Sequence, residues 1–516
     1  MTRRLIGVGL VGLLAAGVVS IQGAAAPQRG AAPEQPARET RPPNPLGQPL
    51  LDPAGHPRDD AFIRIPLPPA DRNYADLDGA KMKTYVNEVA AISRKDRDRT
   101  GPRGFWGRNQ GTPGHVATQD WVEQYFQKFK LTDVRRQPFD VPPQWSVKDW
   151  ELTFTSAGKT YTFPSARPSM NVEATPPPGR DFEVVWVGTG SEADYLGRDV
   201  KGKAVIVQDF LTPGVLNHSI NYDQSVQRAY DHGAAAVGIV YGVADNFAVW
   251  EGTRGRPGFQ IGWEDGKALR DLLGQGGPVT VKYRVDSEMQ RGLKSASVWG
   301  SLKGATDEDI LVVAHMDAYF EGSIDNASGL AVMMGLAEHY SKIPQTQRRR
   351  TIRFLGSVGH HAGPGTRWLH DNRETELSKT ALIINLEHVA AVRTKYWGPH
   401  LRMSNAVSPM RWWVYGSPKL LSIAVDSFKH FNVGLTADMD PNASGEIGAI
   451  ERDAPSMQVI TSPEVKHTEQ DSPEWVPAVG LEQVARAYAK IIDDLNKLNR
   501  QDLLPIVRPD TTAASR

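Results

Sequence analysis

The chain has 516 residues, 40% hydrophobic and 23% charged, a balance that can bury real cores and excludes an intrinsically disordered protein. Lys plus Arg and Asp plus Glu both number 59, so nothing in the charge balance favours nucleic acid as a partner. Cysteine is absent, which excludes thiolate nucleophiles, disulfide frameworks and Cys-ligated zinc, and leaves His and carboxylate to hold any metal.

Residues 1–26 open with two arginines, continue with a 15-residue apolar run over 5–19 and end in small residues, the three-part layout of a secretory signal. The run is shorter than the ~20 residues that span a bilayer. We expect removal of 1–25 after Ala25, no membrane attachment thereafter, and an exported chain, periplasmic or secreted. Residues 27–58 hold nine prolines and no periodic apolar pattern, which predicts an extended linker over 26–70. Residues 501–516 read as a similar tail.

In the folded part, Val116, Trp121, Val122, Tyr125, Phe126 and Phe129 recur at helical spacing. Short apolar runs follow: AVIVQ (204–208), GIVYG (238–242), ILVVA (310–314), TIRFLG (351–356), LIINL (382–386) and MQVIT (457–461). Such runs without polar alternation suit strands buried on both faces. Alternating with helical patterns, they predict an α/β fold: a mostly parallel central sheet flanked by helices, with a smaller inserted β-rich α/β domain.

The texture changes over 166–290, which begins with the Pro-rich ATPPPGRD and contains no cluster of metal-capable residues. DVKGKAVIV followed by a helical stretch into GAAAVGIV resembles the protease-associated domain, a non-catalytic insert of exported peptidases. We therefore expect 71–165 and 291–500 to form one catalytic domain interrupted by 166–290. Gly188-Thr189-Gly190 imitates a dinucleotide fingerprint, but a Pro-free helix pattern and a ribose-binding acid about 20 residues on are not there in the expected order.

Four strand candidates run into metal-capable residues. ILVVA leads to His315-Met316-Asp317, TIRFLGSVG to His360-His361, LIINL to Glu387-His388 and MQVITSPEVK to His467. In an open α/β sheet the carboxyl ends of the strands line one crevice, so these residues should converge. Asp325, in DNASG ahead of a helical LAVMMGLAEHY, should reach the same rim as a helix start.

AHMDA, DNASGLAVMMGLAE, NLEH and KHTEQDSPEWV, with GTPGH at 111–115, resemble the co-catalytic zinc exopeptidases: leucyl aminopeptidases, aminopeptidase Y and glutamate carboxypeptidase relatives. The resemblance spans about residues 75–500. It implies two zinc ions, one held by His315 and Glu387, the other by His361 and His467, with Asp325 bridging. Asp317 would orient His315, since a ligating imidazole usually donates its other nitrogen to a carboxylate. Two such ions would activate one water against a peptide substrate.

The chain departs from the family at two places. His360-His361 stands where the family has Glu-Glu, so His360 takes the place of the general base and His361 that of the ligand. Glu387 replaces an Asp, and His388 beside it reads as a hydrogen-bonding neighbour. The resulting function is an exported zinc-dependent exopeptidase of aminopeptidase type. Its rival is a catalytically impaired metal- or peptide-binding homologue, comparable to the transferrin receptor, that lacks the Glu base. A serine hydrolase and a single-zinc endopeptidase lose ground because neither G-x-S-x-G nor H-E-x-x-H occurs.

Glu446 reads as a solvated loop carboxylate, and Tyr396, Trp397, Trp412, Trp413 and Tyr415 as core packing in the region where the family shapes its substrate pocket. His115 and His218 have no partner motif. Asn217, Asn326 and Asn442 begin N-x-S/T sequons.

Overall fold

The structure, a computed structural model, describes residues 56–505 apart from 102, 211–223, 248, 250–254, 361–362, 398–399, 444 and 462. All six apolar runs form strands. Asp309–His315, Thr380–Leu386 and Ser456–Ile460 are buried at every position, which requires a sheet covered on both faces.

Among the described residues that sheet has seven strands: β1 Thr132–Asp140, β2 Lys294–Leu302, β3 Asp309–His315, β4 Thr351–Ser357, β5 Thr380–Leu386, β6 Arg411–Tyr415 and β7 Ser456–Ile460. Their order is β1-β2-β4-β3-β5-β7-β6. β4, β3, β5 and β7 are mutually parallel. The flanking pairs β1/β2, β2/β4 and β7/β6 are antiparallel. The expectation of a mostly parallel sheet therefore holds only for its centre.

Side chains alternate across the sheet. Ile310, Val312 and Ala314 enter a core completed by helices α1 Gly79–Thr100, α2 Pro113–Lys128, α3 Gly329–Ser341, α4 Pro418–His430 and α5 Ala478–Leu495. Leu311 and Val313 enter the opposite core with Leu369, Trp413, Ile447 and Ile450. Truncating one of these fully buried aliphatic side chains to Ala would cost about 2–5 kcal/mol. Helix ends follow local chemistry: the Asp78 side chain accepts from Lys81 N at 2.8 Å, and Thr112 caps α2 with Pro113 in the first turn. The predicted helix over 116–129 is α2, although Val116 itself is exposed and the buried stripe runs through His115, Trp121, Val122 and Phe126.

Among the described residues a second sheet, of eight strands, lies wholly between residues 144 and 290. AVIVQ belongs to this sheet and ILVVA to the first. The chain leaves at Asp140 and returns at Lys294, which are paired residues of β1 and β2. Its first strand, Gln144–Ser156, pairs along Val279–Gln290, so the boundary expected at 166 moves to about 141. The Pro-rich stretch that suggested the boundary lies inside a strand, Thr175–Trp186, at a register shift where the missing N–H groups are tolerated.

Two further boundaries move. Phe62 is buried and Asp59 accepts from Ala478 N at 3.3 Å, so ordered contacts begin before residue 71. Leu503 is buried and its carbonyl accepts from Ser417 N, so they continue past 501. The expected signal at 1–25 lies outside the described residues. Among the described residues no helix is long and apolar enough to cross a membrane.

Candidate metal centre

The four parallel strands are the four that were expected to deliver metal-capable residues, and their carboxyl ends share one edge of the sheet. His315 ends β3, His360 follows β4, Glu387 and His388 follow β5, and His467 follows β7. All are buried or nearly so. Asp325 lies at their focus on the segment before α3, and its carboxylate is 2% exposed. Asp325 Oδ1 is 3.2 Å from His315 Nε2. Asp325 Oδ2 is 3.3 Å from His360 Nε2, 3.0 Å from His388 Nε2 and 3.0 Å from His467 Nε2. Glu387 Oε1 is 3.9 Å from His315 Nε2 and 3.8 Å from His388 Nε2. His315, Asp325, His360 and His388 each offer a ligand atom within 4.8 Å of the others, so this group could hold a metal ion.

Each imidazole is aimed by a second contact. His315 Nδ1 donates to the Asp317 carbonyl at 3.0 Å, and His388 Nδ1 to the Thr461 carbonyl at 3.3 Å. A neutral ring with its proton on Nδ1 presents a lone pair at Nε2. In both residues that lone pair meets a carboxylate of Asp325, an arrangement that is repulsive until a proton or a cation lies between. His315 Nε2, His388 Nε2 and Asp325 Oδ1 are buried without a hydrogen-bond partner among the described residues. Burial pulls the His315 pKa down, but the charges of Asp325, Glu387 and Asp317 outweigh it and raise it to about 10 in the metal-free chain. Metal binding would displace that proton. Imidazole and carboxylate without thiolate suit zinc.

Two expected roles change. The Asp317 carboxylate is 3.8 Å from His315 Nδ1 and instead accepts Gly359 N at 3.2 Å and His360 N at 2.8 Å. Asp317 orients His315 through its backbone carbonyl and grips the turn after β4 with its side chain. That grip turns His360 inward, its ring stacked at 4.6 Å on His315 and edge-on at 5.1 Å to His467. His360 thus stands among the possible metal holders, whereas His361, expected there, lies outside the described residues.

His388 also faces Asp325 and does not merely support Glu387. Glu387 Oε2 accepts from Asn385 Nδ2 and from Glu446 N, each at 3.1 Å. Gly445 permits this close approach: its φ is +70°, and a Cβ there would lie 1.7 Å from Glu387 Oε2. Glu446 is fully buried, receives Ser357 Oγ at 2.6 Å, and has its pKa raised to about 8 by burial, contrary to the solvated loop residue expected.

Three contributors carried no sequence signal. Arg108 is fully buried and donates to the carbonyls of Met316, Glu321 and Gly322 and to Ser93 Oγ, tying the His315 segment to the Asp325 segment. Asp471 accepts from the backbone of Ile324 and Asp325. The Tyr319 ring lies 5.0 Å from that of His467. A pattern of spacing finds metal-capable residues at strand ends; it does not find the groups that hold backbone from behind.

The remaining candidates fall elsewhere. His115 is buried against Ser295 Oγ at 3.0 Å; His218 and Asn217 lie outside the described residues. Asn326 is buried and donates to the Leu386 carbonyl at 2.8 Å, which rules it out as a surface sequon; Asn442 is exposed. Trp413 is core and stacks with Tyr415 at 6.1 Å, Trp412 donates to the Thr436 carbonyl, and Tyr396 is 52% exposed rather than packed in a core. The Trp397 side chain is outside the described residues. The second sheet's unit meets the His467 loop through an Arg167–Glu469 ion pair at 3.2 Å and a Val249–Thr468 bridge.

Residues 297–492 match peptidase family M28. The chain is 26% identical over 298 residues to Aminopeptidase YwaD of Bacillus subtilis (strain 168), covering 55% of this chain and 58% of that protein. It is 29% identical over 140 residues to Probable glutamate carboxypeptidase VP8 of Zea mays, covering 26% of this chain and 19% of that protein. The chain thus spans less than two thirds of the length of either relative. Its fold is that of BSAP, a zinc aminopeptidase from Bacillus subtilis, with a TM-score of 0.57 at 19% identity over 84% of this chain and 99% of that one. Residues 297–492 thus match a peptidase family M28 domain, set in a fold shared with a zinc aminopeptidase.

Proposed function

We propose that the protein is an exported zinc-dependent exopeptidase of aminopeptidase type that removes N-terminal residues from peptides. The observation that carries this reading is the convergence of the imidazoles of His315, His360, His388 and His467 on the buried Asp325 carboxylate, inside the residues that match the M28 family. His315 and Glu387 would hold one ion, His360 and His467 the other, with Asp325 between them. Zinc so held polarises a peptide carbonyl and lowers the pKa of bound water. Asp317 keeps His360 in place, and the buried surroundings exclude bulk solvent from the charged groups. We read the second sheet's unit as a protease-associated module that borders the crevice, and residues 1–25 as the export signal.

A second reading rests on one observation. Asp317 turns His360 toward Asp325, so the place where the resemblance puts a Glu base holds an imidazole. The second reading is a metal- or peptide-binding homologue with little turnover. Metal analysis with a screen of aminoacyl-arylamides decides between them. The peptidase reading expects zinc that chelator removes and hydrolysis that zinc restores. Bound zinc without hydrolysis, with hydrolysis gained by His360→Glu, would establish the second.

A further inference from the structure

We infer that His388 is itself a metal ligand and closes one position of the centre with four protein donors, leaving the open position to His360, His467 and Asp325. This rests on the reading of the cluster as a metal centre. Two imidazoles flank Glu387 Oε1: His315 Nε2 at 3.9 Å and His388 Nε2 at 3.8 Å. The same two nitrogens meet the Asp325 carboxylate, His315 Nε2 at Oδ1 (3.2 Å) and His388 Nε2 at Oδ2 (3.0 Å). Zinc bonds of about 2.0–2.2 Å set tetrahedral ligand atoms roughly 3.3–3.5 Å apart. The distances from His315 Nε2 and His388 Nε2 to the Asp325 and Glu387 carboxylates, 3.0–3.9 Å, bracket that spacing. A position with four protein donors is closed and of structural type, whereas one with three leaves room for water or substrate.

The backbone gives independent support. His388 is left-handed at φ +47°, a conformation that costs a non-glycine residue free energy and persists where surroundings enforce it. Its N–H donates to Asn326 Oδ1 at 3.3 Å, and its carbonyl accepts from Thr461 N at 2.9 Å and from Thr461 Oγ1 at 2.7 Å. With Nδ1 on the Thr461 carbonyl, every polar group of His388 has a partner except Nε2, which faces Asp325. A residue that served only to support Glu387 would not leave that nitrogen aimed at the focus of the cluster.

The test is titration of the metal-free full chain with zinc against a chromophoric chelator, repeated with cobalt(II). Wild type is expected to take one equivalent tightly and a second more weakly, the tight cobalt equivalent showing the strong visible band of a four-coordinate ion. His388→Asn keeps a side chain that tolerates the left-handed backbone. It should weaken the tight equivalent on the order of 10²-fold or more and abolish the band, with the metal-free melting temperature little changed. His360→Ala should weaken only the second equivalent. A tight equivalent unchanged in His388→Asn overturns the assignment, as does a wild-type cobalt spectrum without the four-coordinate band. Aminoacyl-arylamide hydrolysis is read separately: its absence with the His388 effect intact sinks the peptidase reading and leaves the ligand assignment standing.

Discussion

The Asp471 carboxylate accepts the backbone N–H of Asp325 at 3.1 Å, so the loop that brings His467 to the rim also seats the carboxylate that His467 faces. The other Asp471 oxygen takes Ile324 N at 2.7 Å. Asp471→Asn leaves one of these buried N–H groups without an acceptor, at about 1–3 kcal/mol. Zinc affinity should fall roughly 10–100-fold, as for other groups that orient ligands from behind. Equilibrium zinc binding checks this; unchanged affinity would show that the Asp325 segment holds its shape without Asp471.

Arg108 is a buried guanidinium whose partners are three carbonyls and a hydroxyl. Burial lowers its pKa to about 10, which still leaves it charged at neutral pH. Arg108→Met would strand the carbonyls of Met316, Glu321 and Gly322 and remove positive charge beside Asp317, Asp325 and Asp471. We expect a loss of about 3–5 kcal/mol, measurable by denaturant unfolding of the metal-free chain.

Gly445→Ala tests the approach of the Glu446 loop to Glu387. The new Cβ would overlap the Glu387 carboxylate, and φ +70° is itself unfavourable for alanine. The carboxylate must move, so the expected results are weakened zinc binding and a loss of at least about 1 kcal/mol of stability. Normal metal content with normal stability would mean that the loop yields instead.

His115 predicts an acid limb in stability. Burial lowers its pKa to about 4, with the charges of Asp317 opposing this and those of Arg108 and His315 adding to it. The unfolded chain binds a proton near pH 6.5 and the native chain near pH 4, so stability is lost as pH falls between these values. The loss is about 1.4 kcal/mol per pH unit, roughly 3 kcal/mol in all. His115→Asn can retain the contact with Ser295 and should flatten this limb, whatever it costs at pH 7. Urea unfolding from pH 7 to pH 4 gives the comparison.

The apolar runs in this sequence made the strands legible because strands covered on both faces need uninterrupted aliphatic residues. Their ends then placed His315, His360, Glu387 and His467 on one rim, since parallel strands share a carboxyl edge. The start of the second sheet at about 141 was not legible. Gln144–Ser156 is a half-exposed antiparallel strand, and the prolines taken for a boundary sit at an irregularity within a strand.

What the sequence determined by itself was the strands and the edge of the sheet where His315, His360, Glu387, His388 and His467 meet, because periodicity and strand polarity are local properties of the chain. Only the tertiary structure decided which way each side chain turns there. The Asp317 grip directs His360 inward, the left-handed backbone of His388 brings a fourth imidazole to Asp325, and burial makes Glu446 part of the site. Arg108 and Asp471 hold the two loops through backbone groups, and no spacing rule marks such partners, since any buried donor or acceptor at the right place can satisfy a backbone carbonyl or N–H.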